Sequence, residues 1–216
     1  MEEPGQHEAI IIIGPPGVGK TPILAAIKGK GYAGFDFSDA IKDASERSKT
    51  IRERVARFSD RGELIPDEVA IPIFDEYYHT KIRTGNFGVS GFGRTVRQLN
   101  FLLPALRTRS YGVTVLFSDA TDIVCKRRVL HRLKMREEKY RQTRNLRDKP
   151  RADDLPEVHD FRLRQYRETF LDLRRAATNF CRFPVDRVLS ISTMRPIPEV
   201  EERARQMLFV PEMATQ

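Results

Sequence analysis

With 216 residues, 40% of them apolar, the chain can bury one sizeable core and is too short for several large domains. No apolar run nears membrane-spanning length, and the acidic start Met1-Glu2-Glu3-Pro4, with its apolar stretch broken at Gly14 and Pro15, does not fit a secretory signal. The net charge of +8 calls for a polyanionic partner, while two distant cysteines, Cys125 and Cys181, suit idle thiols of a reducing, cytoplasmic compartment.

In chain order, the five apolar residues Ala9 to Ile13 read as a central parallel strand buried on both faces. They run directly into Gly14-Pro15-Pro16-Gly17-Val18-Gly19-Lys20-Thr21, which meets the pattern G-x-x-x-x-G-K-[ST] in full. Pro22 to Lys28 begins a helix, with Pro22 in the first turn where a missing N–H is tolerated. Gly29, Gly31 and Gly34 punctuate a return to a short second strand near Tyr32 to Phe37. Ser38 is expected to cap a helix over 39–46, and a further helix covers 51–60. Arg61 to Asp67 reads as a turn, with Asp67 capping a helix through Tyr78. A third strand is expected around Asn86 to Ser90. Thr95 to Arg107 follows as a helix with Val96, Leu99, Leu102, Leu103 and Leu106 on its apolar face. Gly112 to Phe117 is a fourth strand, followed by a helix from Asp122 through Leu133. Leu155 to Phe180 is a long amphipathic helix, Arg187 to Ile191 the last strand and Pro198 to Leu208 the closing helix. Strands alternating with helices argue for a parallel sheet covered on both faces.

Each residue of the loop after the first strand has a chemical use. Gly14, Gly17 and Gly19 permit turns that point successive N–H groups into one concavity. The following helix adds its unpaired amides and positive dipole end, Lys20 adds a full charge, and Thr21 offers a hydroxyl to a magnesium ion bridging phosphates. The chain therefore reads as a binder of nucleoside polyphosphates. A second signal is the concentration of twelve Lys and Arg against three acids between Lys126 and Arg151. Such a run suits a phosphate clamp or a nucleic-acid surface, although a solvated helix face is its usual meaning. Only Tyr140 lies within it to stack on a base, which disfavours nucleic acid.

Five motifs, in order and at matching spacing, resemble the adenylate kinase family of nucleoside monophosphate kinases. Besides the phosphate loop, Gly91-Phe92-Gly93-Arg94-Thr95-Val96-Arg97-Gln98 is similar to G-F-P-R-T-x-x-Q, and Arg128-Val129-Leu130-His131-Arg132 to R-L-x-x-R. Arg151-Ala152-Asp153-Asp154 with Arg162, Leu163 and Tyr166 resembles R-x-D-D…R-L-x-x-Y, and Gly62 to Glu68 resembles the turn G-x-L-V-P-D-E. The resemblance implies a three-layer α/β core of the P-loop NTPase type with a parallel five-stranded sheet. It also implies a helical monophosphate-binding flap at 39–71 and a short lid at 133–152 within the single domain 1–216.

The implied activity is ATP + AMP to two ADP with Mg2+, catalysed by a monomer without membrane or nucleic-acid partners. By position, Gly14, Pro15, Pro16, Gly17, Val18, Gly19, Lys20 and Thr21 would hold ATP, and Arg128 would stack on its base. Arg94 would hold the AMP phosphate and Gln98 would read the adenine edge. Arg132, Arg151 and Arg162 would close on the transferring group, with Asp153 and Asp154 positioning the lid arginines. Asp119 would reach magnesium through water.

Four departures from the family pattern stand out. Thr21-Pro22 replaces the usual G-T after the loop lysine. Ser90 stands where the family has the acidic residue before G-F-P-R, a loss expected to weaken magnesium placement. Gly93 replaces the proline and is expected to loosen the backbone that aims Arg94. The flap motif S-T-G-D-x-x-R survives as Asp36-Phe37-Ser38-Asp39-Ala40-Ile41-Lys42, where Lys42 can supply a charge to AMP but not a bidentate fork. Two alternatives stay open: a kinase of another nucleotide or small acceptor, and a nucleotide-binding relative with little transfer activity.

Overall fold

The computed structural model describes residues 7–59, 61–82, 85–145, 149–150, 152–181 and 186–209. Its frame is a five-stranded sheet with the order β2-β3-β1-β4-β5, every pairing parallel. The strands are β1 (His7–Ile13), β2 (Ala33–Asp36), β3 (Phe87–Ser90), β4 (Tyr111–Asp119) and β5 (Arg187–Ser192). Between and after them come α1 (Lys20–Lys28), α2 (Phe37–Arg47), α3 (Lys49–Ser59), α4 (Asp67–Tyr77), α5 (Val96–Arg107), α6 (Asp122–Thr143), α7 (Pro156–Phe180) and α8 (Ile197–Phe209). This is the parallel α/β sheet that the alternation of elements predicts, and its five strands agree with the core that the resemblance implies.

Side chains on β1 alternate between two buried layers, as a period-two strand must. Ile10 and Ile12 pack with Ile23, Leu24 and Ile27 of α1 and with Val200, Ala204 and Leu208 of α8. Ala9, Ile11 and Ile13 pack on the other face with Ile73 and Phe74 of α4, Leu99, Leu102 and Leu103 of α5, and Leu173 and Ala177 of α7. Both faces are covered, so β1 reads as an unbroken apolar run. Each fully buried isoleucine here contributes about 1.5–3 kcal/mol through burial.

Three local details differ from the sequence expectations. The cap of α2 is Asp36 and not Ser38: the Asp36 carboxylate accepts from the Ser38 amide, and Asp39 returns a bond to the Asp36 amide. A reciprocal box satisfies two orphan amides where a single serine cap satisfies one, so the helix starts earlier. Asp67 is the first residue of α4, after Pro66, and its carboxylate is used across the fold by Thr95 and Gln98. Finally, α6 does not stop near Leu133 but continues to Thr143. Its second half, Lys134 to Tyr140, is built of strong helix formers, and the helix ends where Arg144 turns left-handed at φ 52°.

An aromatic cluster roots the segment between β3 and α5. Phe92 stacks on Phe74 at 4.0 Å and meets Phe37 edge-on at 5.0 Å, tying that segment to α4 and α2. Phe92 is two residues before Arg94, so the packing of α2 and α4 sets where that arginine stands.

Candidate active site

The C-terminal ends of β1, β2, β3 and β4 share one edge of the sheet, which is where ligands bind in open parallel α/β folds. The phosphate loop occupies its middle. Gly17 and Gly19 have φ of 78° and 101°, in the left-handed region that a side chain would strain. Gly14 has no room for a Cβ, which would meet the backbone oxygen of Ser118 at 2.6 Å. Four side chains from outside brace carbonyls of the loop and of Ile13, the strand residue that enters it. The Ser118 hydroxyl donates to Ile13 O at 3.0 Å and the Thr193 hydroxyl to Val18 O at 2.6 Å. Arg128 Nη1 donates to Val18 O at 2.7 Å, and His159 Nε2 stands 3.3 Å from Pro16 O. With its carbonyls fixed from behind, the loop keeps its amides aimed without cost at the moment a phosphate arrives.

Lys20 begins α1, and its ammonium donates to Gly14 O and Pro15 O, both at 2.9 Å. Burial lowers its pKa to about 7, helped by the nearby charges of Arg94 and Arg162 and opposed by Asp36. Arg94 is likewise lowered to about 10, by burial first and then by Arg162. Three cations are thus held together against their own repulsion. Such a cluster gains most when a polyanion enters, because the ligand relieves both the desolvation and the mutual repulsion.

These groups line one cleft of about 1000 Å³ that continues to either side of the loop. On one side stand Arg128, Thr193, Arg195, Ile197 and Val200; on the other, Ser38, Ile41, Val55, Leu64, Ile65 and Gln98. Asp153 and Asp154 hold the arginines of the expected lid. Arg162 Nη1 donates to Asp153, and Arg132 grips the fully buried Asp154 with Nε, at 3.1 Å, and Nη2. The structure therefore brings together the phosphate loop, Thr21, Arg94, Gln98, Arg128, Arg132, Asp153 and Arg162 around one volume. Arg151 lies outside the described residues.

Other expected residues stand elsewhere or are engaged differently. Lys42 is on the exposed face of α2, 69% open to solvent and 3.9 Å from Glu46, outside the cleft lining. Asp119 is also exposed and paired with Arg167 at 2.8 Å, again outside that lining. Gln98 borders the cleft, but its amide oxygen accepts from the amides of Gly93 at 3.1 Å and Arg94 at 2.9 Å, and Nε2 donates to Asp67 Oδ1 at 2.9 Å. That network holds the backbone at Arg94, so Gly93 tightens this segment where looseness was expected. A proline at 93 has no N–H to give. One N–H of the Gln98 amide remains for a ligand.

Several cleft residues escape the sequence reading. Thr193, Arg195, Ile197 and Val200 follow β5, and only the rule that ligands sit beyond the C-terminal strand ends could have marked them. Asp36 had a signal in the S-T-G-D-like segment but reads there as a lost serine. Among the described residues, no group of three or more His, Cys, Asp and Glu side chains converges as a metal site, and no helix is long and apolar enough to cross a membrane.

No protein-family model matches the chain. Against individual proteins, it is 28% identical over 160 residues to the adenylate kinase of Hyphomonas neptunium, covering 74% of this chain and 78% of the relative. It is 29% identical over 165 residues to the adenylate kinase of Thermus thermophilus, with the same coverage of 74% and 78%. The adenylate kinase of Chloroherpeton thalassium matches at 34% over 122 residues, 54% of this chain and 56% of that one. The strand order, the phosphate loop and the converging arginines agree with this distant likeness to adenylate kinases.

Proposed function

We propose that the protein is a nucleoside monophosphate kinase that transfers the terminal phosphoryl group of ATP to AMP, giving two ADP. The observation that carries this reading is the cation cluster Lys20, Arg94 and Arg162 at the middle of a cleft with room on both sides. One side, bordered by Arg128, Thr193, Ile197 and Val200, is assigned to the ATP base; the other, bordered by Val55, Leu64, Ile65 and Gln98, to the acceptor base. Segments 39–71 and 133–152 are assigned as acceptor flap and lid, and Arg151 joins Arg132 and Arg162 as a lid arginine.

In-line transfer needs the two phosphates aligned and the charge on the equatorial oxygens stabilised, with little covalent chemistry left for the protein. Lys20 and the loop amides would orient the donor phosphates, Arg94 the acceptor phosphate, and Arg132 and Arg162 the group in transit. Arginine forks suit this because they bind oxygen pairs and stay charged. Closure of the lid would exclude water that otherwise takes the phosphoryl group. Magnesium fits the donor set: Thr21 offers one hydroxyl at the cleft, and an ion that prefers phosphate and water ligands needs no dense carboxylate cage. When bound it neutralises phosphate charge.

The engaged amide of Gln98 and the outward Lys42 favour a second reading, a kinase of the same mechanism with another acceptor. The test is ADP formation from ATP and magnesium with each nucleoside monophosphate in turn, against an ATP-only control. Turnover that requires AMP supports the proposal, and turnover with a different acceptor replaces AMP by that acceptor. Lys20→Ala is expected to lower turnover by about a hundredfold or more. Turnover near the wild-type level in that variant overturns the phosphate-loop assignment.

A further inference from the structure

Two departures from the family pattern, far apart in sequence, meet in space. Position 90, where the resemblance calls for an acid, is Ser90 at the end of β3. Position 36, where the pattern S-T-G-D calls for a serine, is Asp36 at the end of β2. The two are register partners in adjacent parallel strands, so both side chains leave the sheet toward the same side. The Ser90 hydroxyl, fully buried, donates to Asp36 Oδ2. Oδ1 of the same carboxylate accepts from the Ser38 amide at 2.9 Å.

We propose that the carboxylate of this active site has changed strands: Asp36 supplies the acid that position 90 lacks, and Ser90 has become its hydrogen-bond donor. The proposal rests on the kinase reading above and names a positioning residue for it.

Three observations carry it. Asp36 lines the cleft together with Lys20, Thr21 and Arg94. Close approach is also built in: a Cβ on Gly91 would lie 3.2 Å from Asp36 Oδ1 and 3.5 Å from Arg94 Nη2, so acid and guanidinium flank the same backbone point. At φ 83°, Gly91 leaves that space open. The acid is also ionised: burial pushes its carboxyl up, but the bonds from Ser90 and Ser38 and the charge of Arg94 outweigh this and lower it overall. An ionised carboxylate here opposes the mutual repulsion of Lys20 and Arg94, and can accept from water held by a cation on the phosphates. The serine at 90 keeps the carboxylate in one rotamer.

The experiment compares the wild type with D36N, D36S, S90D and the exchanged pair D36S/S90D, using the full chain. Thermal unfolding comes first, and D36N, which keeps the shape and one acceptor, is expected to melt close to the wild type. ATP binding is then titrated with and without Mg2+, a readout that needs no turnover. The gain in ATP affinity on adding Mg2+ is expected to shrink about tenfold in D36N and D36S, and to return in the exchanged pair. S90D alone places two carboxylates together, raises the pKa of one, and is expected to gain nothing. Turnover should follow the same order, with kcat falling more than the KM for the acceptor rises. An unchanged magnesium gain in a folded D36N overturns the proposal, as does an exchanged pair no better than D36S. If no monophosphate is turned over by the wild type while the binding pattern holds, the kinase reading fails and the strand exchange stands.

Discussion

Restoring the family's proline at position 93 should damage this protein, and the size of the damage can be worked from its surroundings. Gly93 sits at φ 78°, which proline, fixed near −65°, cannot adopt. Its amide donates to Gln98 Oε1 at 3.1 Å, a bond proline deletes at about 1 kcal/mol. A Cβ there would also lie 2.9 Å from Cδ2 of the fully buried Leu99, and overpacking of that kind costs about 1–3 kcal/mol. Gly85 is a control for dihedral strain, since φ is 96° but nothing lies within 4 Å of its Cβ position. G85A should then cost about 1–2 kcal/mol from the left-handed backbone alone, and G93A about 2–5 kcal/mol. G93P adds the lost bond and an inaccessible φ, for about 4 kcal/mol or more. For a chain of this length each kcal/mol moves Tm by about 2–4 °C, so G93P should melt roughly 8 °C or more below the wild type. Differential scanning calorimetry on the three variants measures the order G85A, G93A, G93P directly. A G93P protein that melts with the wild type, or above it, would refute the view that Gln98 holds this segment through the Gly93 amide.

Two further outcomes are expected away from the phosphates. His159 is 2% exposed beside Pro16 O, and burial, with the Arg162 charge, lowers its pKa despite the opposing carbonyl. The unfolded chain then binds a proton that the folded one resists, so stability is present above the ordinary histidine value near 6.5 and falls as pH drops through it. The urea midpoint should decline from pH 7 to pH 5, and less steeply in His159→Gln; equal slopes would remove His159 as the cause. Burial raises the Cys181 thiol to about 12 and also raises Cys125, which is fully buried. With about one thiolate in 10⁴ at pH 8, Cys181 in the native protein should react with iodoacetamide about a thousandfold more slowly than an ordinary thiol. Labelling of the folded protein at the rate of the denatured chain would contradict that environment.

The strand-to-loop-to-helix step at Gly14 to Thr21, the apolar run of β1, the apolar face of α5 and the alternation that makes a parallel sheet were all legible in the sequence. These features rest on interactions within a few residues: dihedral freedom at glycine and apolar spacing set by a repeat of two or 3.6. The arginines could be read as phosphate ligands for the same reason, since their order along the chain is itself the motif. What no local pattern contains is the register between strands and the way helices lean on them. Only the tertiary structure could set Ser90 against Asp36 across 54 residues, turn Lys42 to solvent, give Asp119 to Arg167 and spend the Gln98 amide on Gly93, Arg94 and Asp67. A side chain's charge and hydrogen bonds are settled by whatever lies within a few ångströms, and distance in space is fixed only when the core has packed.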